Sequence, residues 1–318
     1  HFYACQLLED FIGSEWYSGT GLEELLIEAK AFFPLLFADY GEVFSFGDSD
    51  RALIRNQCKR GGRIQLEGNS VGSGVFEKKE TGLAVSRLSC GESVLSSMAL
   101  TNQFHSNTHN HHDYSSFEWF YADKWVIVDP GKYTYDKSEI GNWFYSDSAH
   151  NTINLSRIGH RFKESKKTIG ANAGESGNHL FSSIVDDSFV YTRDLYHQER
   201  EIEVLDRLLI TDECNVNGEI FSSILFDHEF RHIEYLSPNK VKIFSDDYEL
   251  IIECSGRIRA ERGKLDPIAG WQATQYGVKK ESWQLFVELI PVSSLEYHSE
   301  ITISLRLLSK TAKSKLNY

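Results

Sequence analysis

Hydrophobic and polar positions follow two different periods along this chain. Phe2, Leu7, Leu8 and Phe11, and then Leu22, Leu25, Leu26, Ala29 and Phe33, recur at helical spacing, with Pro34 interrupting the second run. The spacing predicts helices within the first forty residues. From about Gly41 to Gly74 the chain is rich in Gly, Ser, Asp and Arg without a clear period, which reads as a long connection. From Leu83 onward the pattern changes to short runs of Val, Ile, Phe, Tyr and Trp separated by Gly, Asn, Asp and Ser, a strand signature.

The predicted strands include Ser116 to Tyr121, Trp125 to Val128, Phe189 to Tyr191, Ile202 to Leu205, Leu208 to Thr211 and Glu219 to Phe226. Lys240 to Phe244, Glu249 to Cys254, Trp283 to Leu289 and Glu300 to Leu307 continue the series. So many short strands imply a mainly β fold, a large sandwich of antiparallel sheets. The division expected is a helical segment and connection over 1–60 and a β-sandwich over 61–318. The polar stretch from Lys163 to Asn178 reads as a surface excursion.

Composition narrows the function classes. At 318 residues and 41% hydrophobic content the chain can bury a large core. A formal net charge of -13, with no basic run longer than Lys166-Lys167 or Lys279-Lys280, argues against nucleic acid. An acidic polysaccharide would need a locally basic cleft. No stretch reaches the roughly 18 apolar residues of a membrane helix, and none resembles a signal peptide. The first residue is His1, and Met98 is the only methionine, so a processed protein or an excised piece is expected. Cys5, Cys58, Cys90, Cys214 and Cys254 lie far apart without CxxC spacing, so buried free thiols are expected rather than a Cys-rich metal site, although one pair could be bridged.

Histidine is unevenly placed. His105, His109, His111 and His112 crowd into eight positions, followed by Asp113, Asp129 and His150. In an extended segment His109, His111 and Asp113 share one face. Two imidazoles and a carboxylate converging suit a divalent metal such as zinc, and manganese or iron would tolerate the same set. A solvated polar loop is the plain alternative. Against it, the loop runs into an apolar hairpin, Ser116 to Tyr121 and Trp125 to Val128, closed by the Asp129-Pro130-Gly131 turn. Around a turn at Asp123, Asp129 would oppose about Phe117 rather than His111, so the histidine segment must bend to reach it.

Three ordered blocks carry a family resemblance. His109-Asn110-His111-His112-Asp113-Tyr114-Ser115-Ser116-Phe117, Val128-Asp129-Pro130-Gly131-Lys132-Tyr133-Thr134-Tyr135 and Ala149-His150-Asn151-Thr152 resemble the HxHxD..SF, DPGxYxY and AHNT signature of heparinase II/III-like polysaccharide lyases. Weaker similarity extends to Phe46 to Asp50 and to Gly270-Trp271 through Tyr276-Gly277. The resemblance implies a chain running from the tail of an α/α toroid through a super-sandwich, and β-elimination on uronic-acid-containing polysaccharide. It implies zinc ligands at His111, Asp129 and His150, an active-site histidine at His109, and a periplasmic or secreted location. The family's acid/base tyrosine would come from a toroid segment upstream of His1, since neither Tyr3 nor Tyr17 sits in a copy of its motif.

Other expectations are smaller. Tyr133 and Tyr135 are candidates for stacking on sugar rings, with core packing as the plain alternative. Asn151 is a candidate for orienting His150, and Asp113 for bonding a neighbouring imidazole or backbone amide. Arg161, Arg193, Arg200 and Arg207 could line a polyanion groove, although scattered arginines on sheets are usually solvated or paired. Tyr145-Ser146-Asp147-Ser148 stands where relatives carry arginines, which implies a less basic cleft. A non-catalytic carbohydrate-binding sandwich with a structural metal is the main alternative function. A metal-dependent hydrolase or cupin-like enzyme ranks last, for want of a separate general base near the cluster.

Overall fold

Strict two-residue alternation builds one large sheet. In the computed structural model, which describes residues 36–39, 42–47, 73–90, 93–102, 111–158, 165–174, 177–211 and 219–308, inward positions of Phe189–His197 and Glu201–Ile210 are buried and outward ones partly open. These strands belong to a nine-stranded antiparallel sheet. Its order is His232–Ser237, Lys240–Phe244, Tyr248–Cys254, Glu296–Leu307, Glu201–Ile210, Phe189–His197, Gly177–Val185 and Lys166–Gly174, with Ile290–Pro291 added beside Glu296–Leu307.

A second layer faces it. Gly74–Lys78, Leu83–Cys90, Ser93–Thr101, Ser116–Tyr121 and Lys124–Ile127 form a five-stranded meander in chain order. A three-stranded sheet of Phe221–Leu225, Trp283–Glu288 and Ile258–Arg262 continues this layer. The join is the bridge between Ile127 and Phe226 and the Val128 amide donating to the Leu225 carbonyl at 3.0 Å. Between the layers lies one apolar core that includes Phe117, Trp119, Leu195, Val204, Ile252, Leu285 and Ile303, all without solvent exposure. The architecture is thus the expected mainly β antiparallel sandwich.

Every residue of Ser116–Tyr121 is buried. Its inner side chains enter the main core, while Phe120 on the outer face packs with Val85, Ala99, Ala38 and Phe44. The stretch read from sequence as helices and connection therefore contributes at least one strand pair, Phe37–Asp39 with Glu42–Val43. The reason is that Ala38 and Phe44 cover the outer face of the five-stranded sheet. The helices expected before residue 34 lie outside the described residues.

Two further expectations need correction. The runs Ile202 to Leu205 and Leu208 to Thr211 are one strand, Glu201–Ile210, because the intervening Asp206 is paired rather than a breaker. The supposed excursion from Lys163 to Asn178 contains the edge strand Lys166–Gly174, hydrogen-bonded to Gly177–Val185. Its polarity reflects its place at the edge, where, among the described residues, a single strand pairs with it.

Candidate metal centre

The histidine loop bends where the geometry requires it. Tyr114 and Ser115 form a turn, with Ser115 at φ 58° and the Ser116 amide donating to the Asp113 carbonyl at 3.0 Å. This left-handed residue turns the chain from the His111–Asp113 segment into Ser116–Tyr121. Alternation persists across the segment: His111 and Asp113 are buried and His112 is exposed. Across the hairpin Trp119 pairs with Ile127, so Asp129 projects past the strand end toward the bent loop. His150 arrives after the helix Glu139–Tyr145, which Ser138 caps by accepting from the Gly141 amide at 3.2 Å.

His111, Asp129 and His150 thus converge, with one ligand atom from each lying within 4.8 Å of the others. None exceeds 2% exposure. His150 Nδ1 is 2.7 Å from Asp129 Oδ2, and His150 Nε2 is 3.2 Å from the Phe144 carbonyl oxygen. The His111 ring lies 5.3 Å from that of His150 and 4.4 Å edge-on to Tyr145.

Electrostatics distinguish the two imidazoles. Burial holds His111 well below the usual histidine range, and the charges of His150, His112 and Lys132 add to the effect. For His150 burial pulls downward too, but Asp129, by charge and hydrogen bond, raises it on balance. Asp113 is pushed up to about 6, chiefly by burial. Two nitrogen donors and one carboxylate this close fit zinc, which takes His and Asp ligands in sets of three or four. A bound ion would replace the proton held between His150 and Asp129.

Around the three ligands lies a set of polar anchors. Asp129 Oδ1 accepts from the Gly131 amide at 2.9 Å, closing its own turn. Glu118, without solvent exposure, accepts from the Asp129 amide at 2.8 Å and from the Ser45 amide at 2.6 Å. Asp113 accepts from the Gly47 amide at 2.8 Å and so bonds a backbone amide. Asn151 makes no hydrogen bond to the His150 ring. Its amide donates to the Phe117 and Val128 carbonyls at 2.7 and 2.9 Å, and its oxygen accepts from the Leu225 amide at 2.6 Å. It ties together the strands that carry the ligands rather than a ligand itself.

Arg193 is a buried cation, not part of a solvated groove. It pairs with Asp206 at 2.7 Å and donates to the Ser115 carbonyl at 2.8 Å, to Ser222 Oγ at 2.9 Å and to the Asn151 carbonyl. Of the other arginines, Arg161 lies outside the described residues, and Arg200 is exposed and bonds Tyr121 at 3.0 Å. Tyr133 stacks on Phe144 with ring centroids 5.2 Å apart, and Tyr135 is 51% exposed. His109 lies outside the described residues. Cys254 is a buried free thiol, pushed up to about 12 by burial.

Sequence reading missed Glu118 and Asp206, and weighed Arg193 only as a groove-lining, solvated or paired arginine. The signal was present for Arg193 and Asp206. Arg193 sits at period two with Phe189, Tyr191 and Leu195, and Asp206 with Ile202, Val204 and Leu208, so both fall on inward faces.

Residues 77–304 match the family model described as Heparinase II/III-like, C-terminal. Among solved structures, one of heparinase III aligns with a TM-score of 0.72 at 16% identity, covering 98% of this chain and 52% of that one. A heparan sulfate lyase HepC from Pedobacter heparinus aligns with a TM-score of 0.70 at 15% identity, over 90% of this chain and 47% of that one. A heparinase III, the BT4657 gene product, aligns at 0.66 and 16%, covering 88% and 46%. At these identities the likeness establishes the fold, and the chain spans about half the length of the structures it matches. No curated protein matches it.

Proposed function

The chain belongs to the heparinase II/III-like family, and from that membership we propose that it serves as the β-domain of a polysaccharide lyase that cleaves uronic-acid-containing chains by β-elimination. The observation that carries the reading is the buried His111, Asp129 and His150 cluster on the segments matched by the family. In this reading residues 61–318 are the sandwich unit, joined by the strand pair Phe37–Asp39 and Glu42–Val43 that packs on it, and the rest of 1–60 is the end of a helical toroid with its connection. In the same reading the protein works in the periplasm or outside the cell. Among the described residues no helix is long and apolar enough to cross a membrane.

Elimination removes the C5 proton of a uronate and expels the oxygen at C4. The carboxylate beside C5 must be neutralised as charge builds on it. A base must take the proton and an acid must protonate the departing oxygen. His109, two residues before His111, is assigned the neutralising role; its imidazole can carry a proton near neutral pH. The acid/base tyrosine is assigned to the toroid, as the resemblance implies.

His111, Asp129 and His150 are buried too deeply to touch a polymer. They would hold zinc as a brace, fixing the turn from His111 to Ser115 against the Asp129 loop and so setting where the segment before His111 emerges. Bound zinc supplies positive charge that three side chains share. Manganese or ferrous iron fits the same donors, but binds less tightly on the general order of divalent affinities.

The test is metal analysis of purified protein together with His111→Ala and Asp129→Ala variants, with an ultraviolet assay for unsaturated ends on uronate polymers run once the toroid is joined to the chain. About one zinc per chain, lost in both variants with a lower melting temperature, supports the reading. Protein that has never met a chelator, contains no metal and is indifferent to both substitutions refutes it.

A further inference from the structure

We propose that the surface formed by the Lys132–Tyr135 loop and the hairpin Trp271–Gln275/Val278–Glu281 is a binding platform for an acidic oligosaccharide. The inference rests on the lyase reading and extends it to a subsite whose main residues are Lys132, Tyr135, Tyr276 and Lys279. Tyr135 and Tyr276 are 51% and 49% exposed, with ring centroids 5.8 Å apart. Lys132 Nζ donates to Tyr135 Oη at 2.7 Å and lies 4.4 Å from the Tyr135 centroid and 5.5 Å from that of Tyr276. Beside them, Lys279 Nζ lies 4.1 Å from the Trp271 ring centroid and 5.5 Å from that of Tyr133.

The platform is built rather than accidental. The Ala273 amide donates to the Pro130 carbonyl and the Gly277 amide to the Tyr133 carbonyl, each at 2.7 Å, so the hairpin is fastened to the loop at two points. Gly131, at φ 73°, allows that approach: a Cβ there would stand 2.9 Å from the Ala273 carbonyl oxygen. Trp271 Nε1 donates to the Lys264 carbonyl at 2.9 Å, which fixes the orientation of its ring. Beneath, Tyr133, Trp271 and Ala273 pack on Trp143 and Phe144, and the Phe144 carbonyl meets His150. The surface is therefore continuous with the metal centre.

The chemistry selects the ligand class. Exposed tyrosine faces accept the apolar C–H face of a pyranose ring. Ammonium groups held against those rings present positive charge to a carboxylate or sulfate. In a chain of net charge -13, two lysines placed on four aromatic rings form a local site of the opposite sign to the whole molecule, which favours an anionic sugar over a neutral one.

Calorimetric titration with a size-defined hexuronate hexasaccharide, a neutral hexaose of the same length, and two double variants tests this. Tyr135→Ala/Tyr276→Ala and Lys132→Gln/Lys279→Gln alter surface side chains, and Tyr235→Ala, equally exposed on the His232–Ser237 edge strand, is the control. Expected are binding of the acidic sugar, a loss of roughly tenfold or more in each double variant, and no change in the control. Undiminished binding in both double variants overturns the platform, as does equal affinity for the neutral hexaose or no binding by the parent protein. Metal content is read in the same samples. Platform-dependent binding by protein that holds no metal and is indifferent to His111→Ala counts against the lyase reading and leaves the platform standing.

Discussion

Arg193 and Asp206 stand directly opposite each other on neighbouring strands of the large sheet, and their side chains form a two-pronged ion pair with no solvent exposure. Asp206 also accepts from Tyr191 Oη at 2.8 Å. Through Arg193 this pair reaches the carbonyls of Ser115 and Asn151, which flank the segments that carry His111 and His150. One buried guanidinium thereby holds both arms of the candidate metal centre in place.

Arg193→Met should cost about 3–5 kcal/mol, the usual penalty for leaving a buried charge without its partner. Asp206→Asn should fall in the same direction. Urea unfolding measures the loss, and a chelator competition on the folded variant should show faster metal release. A change below about 1 kcal/mol with unaltered release would mean that neighbouring donors replace the clamp.

Metal removal is expected to lower stability in a concentration-dependent way. Restoring zinc at about a hundred times its dissociation constant should return roughly 2.7 kcal/mol. Thermal melts across a zinc series give the answer. A melting temperature independent of zinc from chelator-treated protein would speak against a brace at His111, Asp129 and His150.

Acid sensitivity should come in part from His197. This side chain has no solvent exposure and sits between Ser86 Oγ and Ser96 Oγ, each 2.7 Å from a ring nitrogen. Burial pushes it down to about 3, whereas in the unfolded chain it titrates near 6.5. Between those values the unfolded state binds the extra proton, so stability falls as pH drops from about 6.5 toward 3, by on the order of a few kcal/mol. Urea midpoints against pH for the parent and His197→Gln isolate the contribution. Parallel curves would show that the histidine does not titrate differently on folding.

Two glycines at similar φ should respond differently. Gly131→Ala meets both the left-handed backbone penalty, about 1–2 kcal/mol, and the Ala273 carbonyl at 2.9 Å. Gly277 has φ 76° but open space around a Cβ, so Gly277→Ala should incur only the backbone part. Differential scanning calorimetry of the two variants would rank them. Equal losses would show that the hairpin yields to the added methyl group.

Much of the sandwich was legible because one face of each strand must be apolar. Ser116–Tyr121 and Lys240–Phe244 have the bounds read from their runs of aromatic and branched residues between turn residues. The candidate ligand set was legible through its likeness to the three family blocks, whereas spacing alone grouped His109, His111 and Asp113, and Asp113 instead bonds the Gly47 amide. The anchors were harder, since Glu118 lies within an apolar run and finds its partners at Ser45 and Asp129 only through the fold. The edge strand Lys166–Gly174 was obscured because a polar edge and a polar loop have the same composition. The bend at Ser115 could be demanded by register but not located, because nothing in a serine announces a positive φ.

The Arg193 clamp also imposes an order on how the protein is made. The ligands lie within forty residues of one another, so a growing chain has all three early. The parts that lock them come later: Arg193, then Asp206, then Ser222, whose backbone also bridges to Ile153. Until the ribosome has delivered that far strand, the histidine loop has donors without a frame, and the large sheet must close over long sequence separations. Translation therefore delivers all three candidate ligand residues before the residues that clamp their segments.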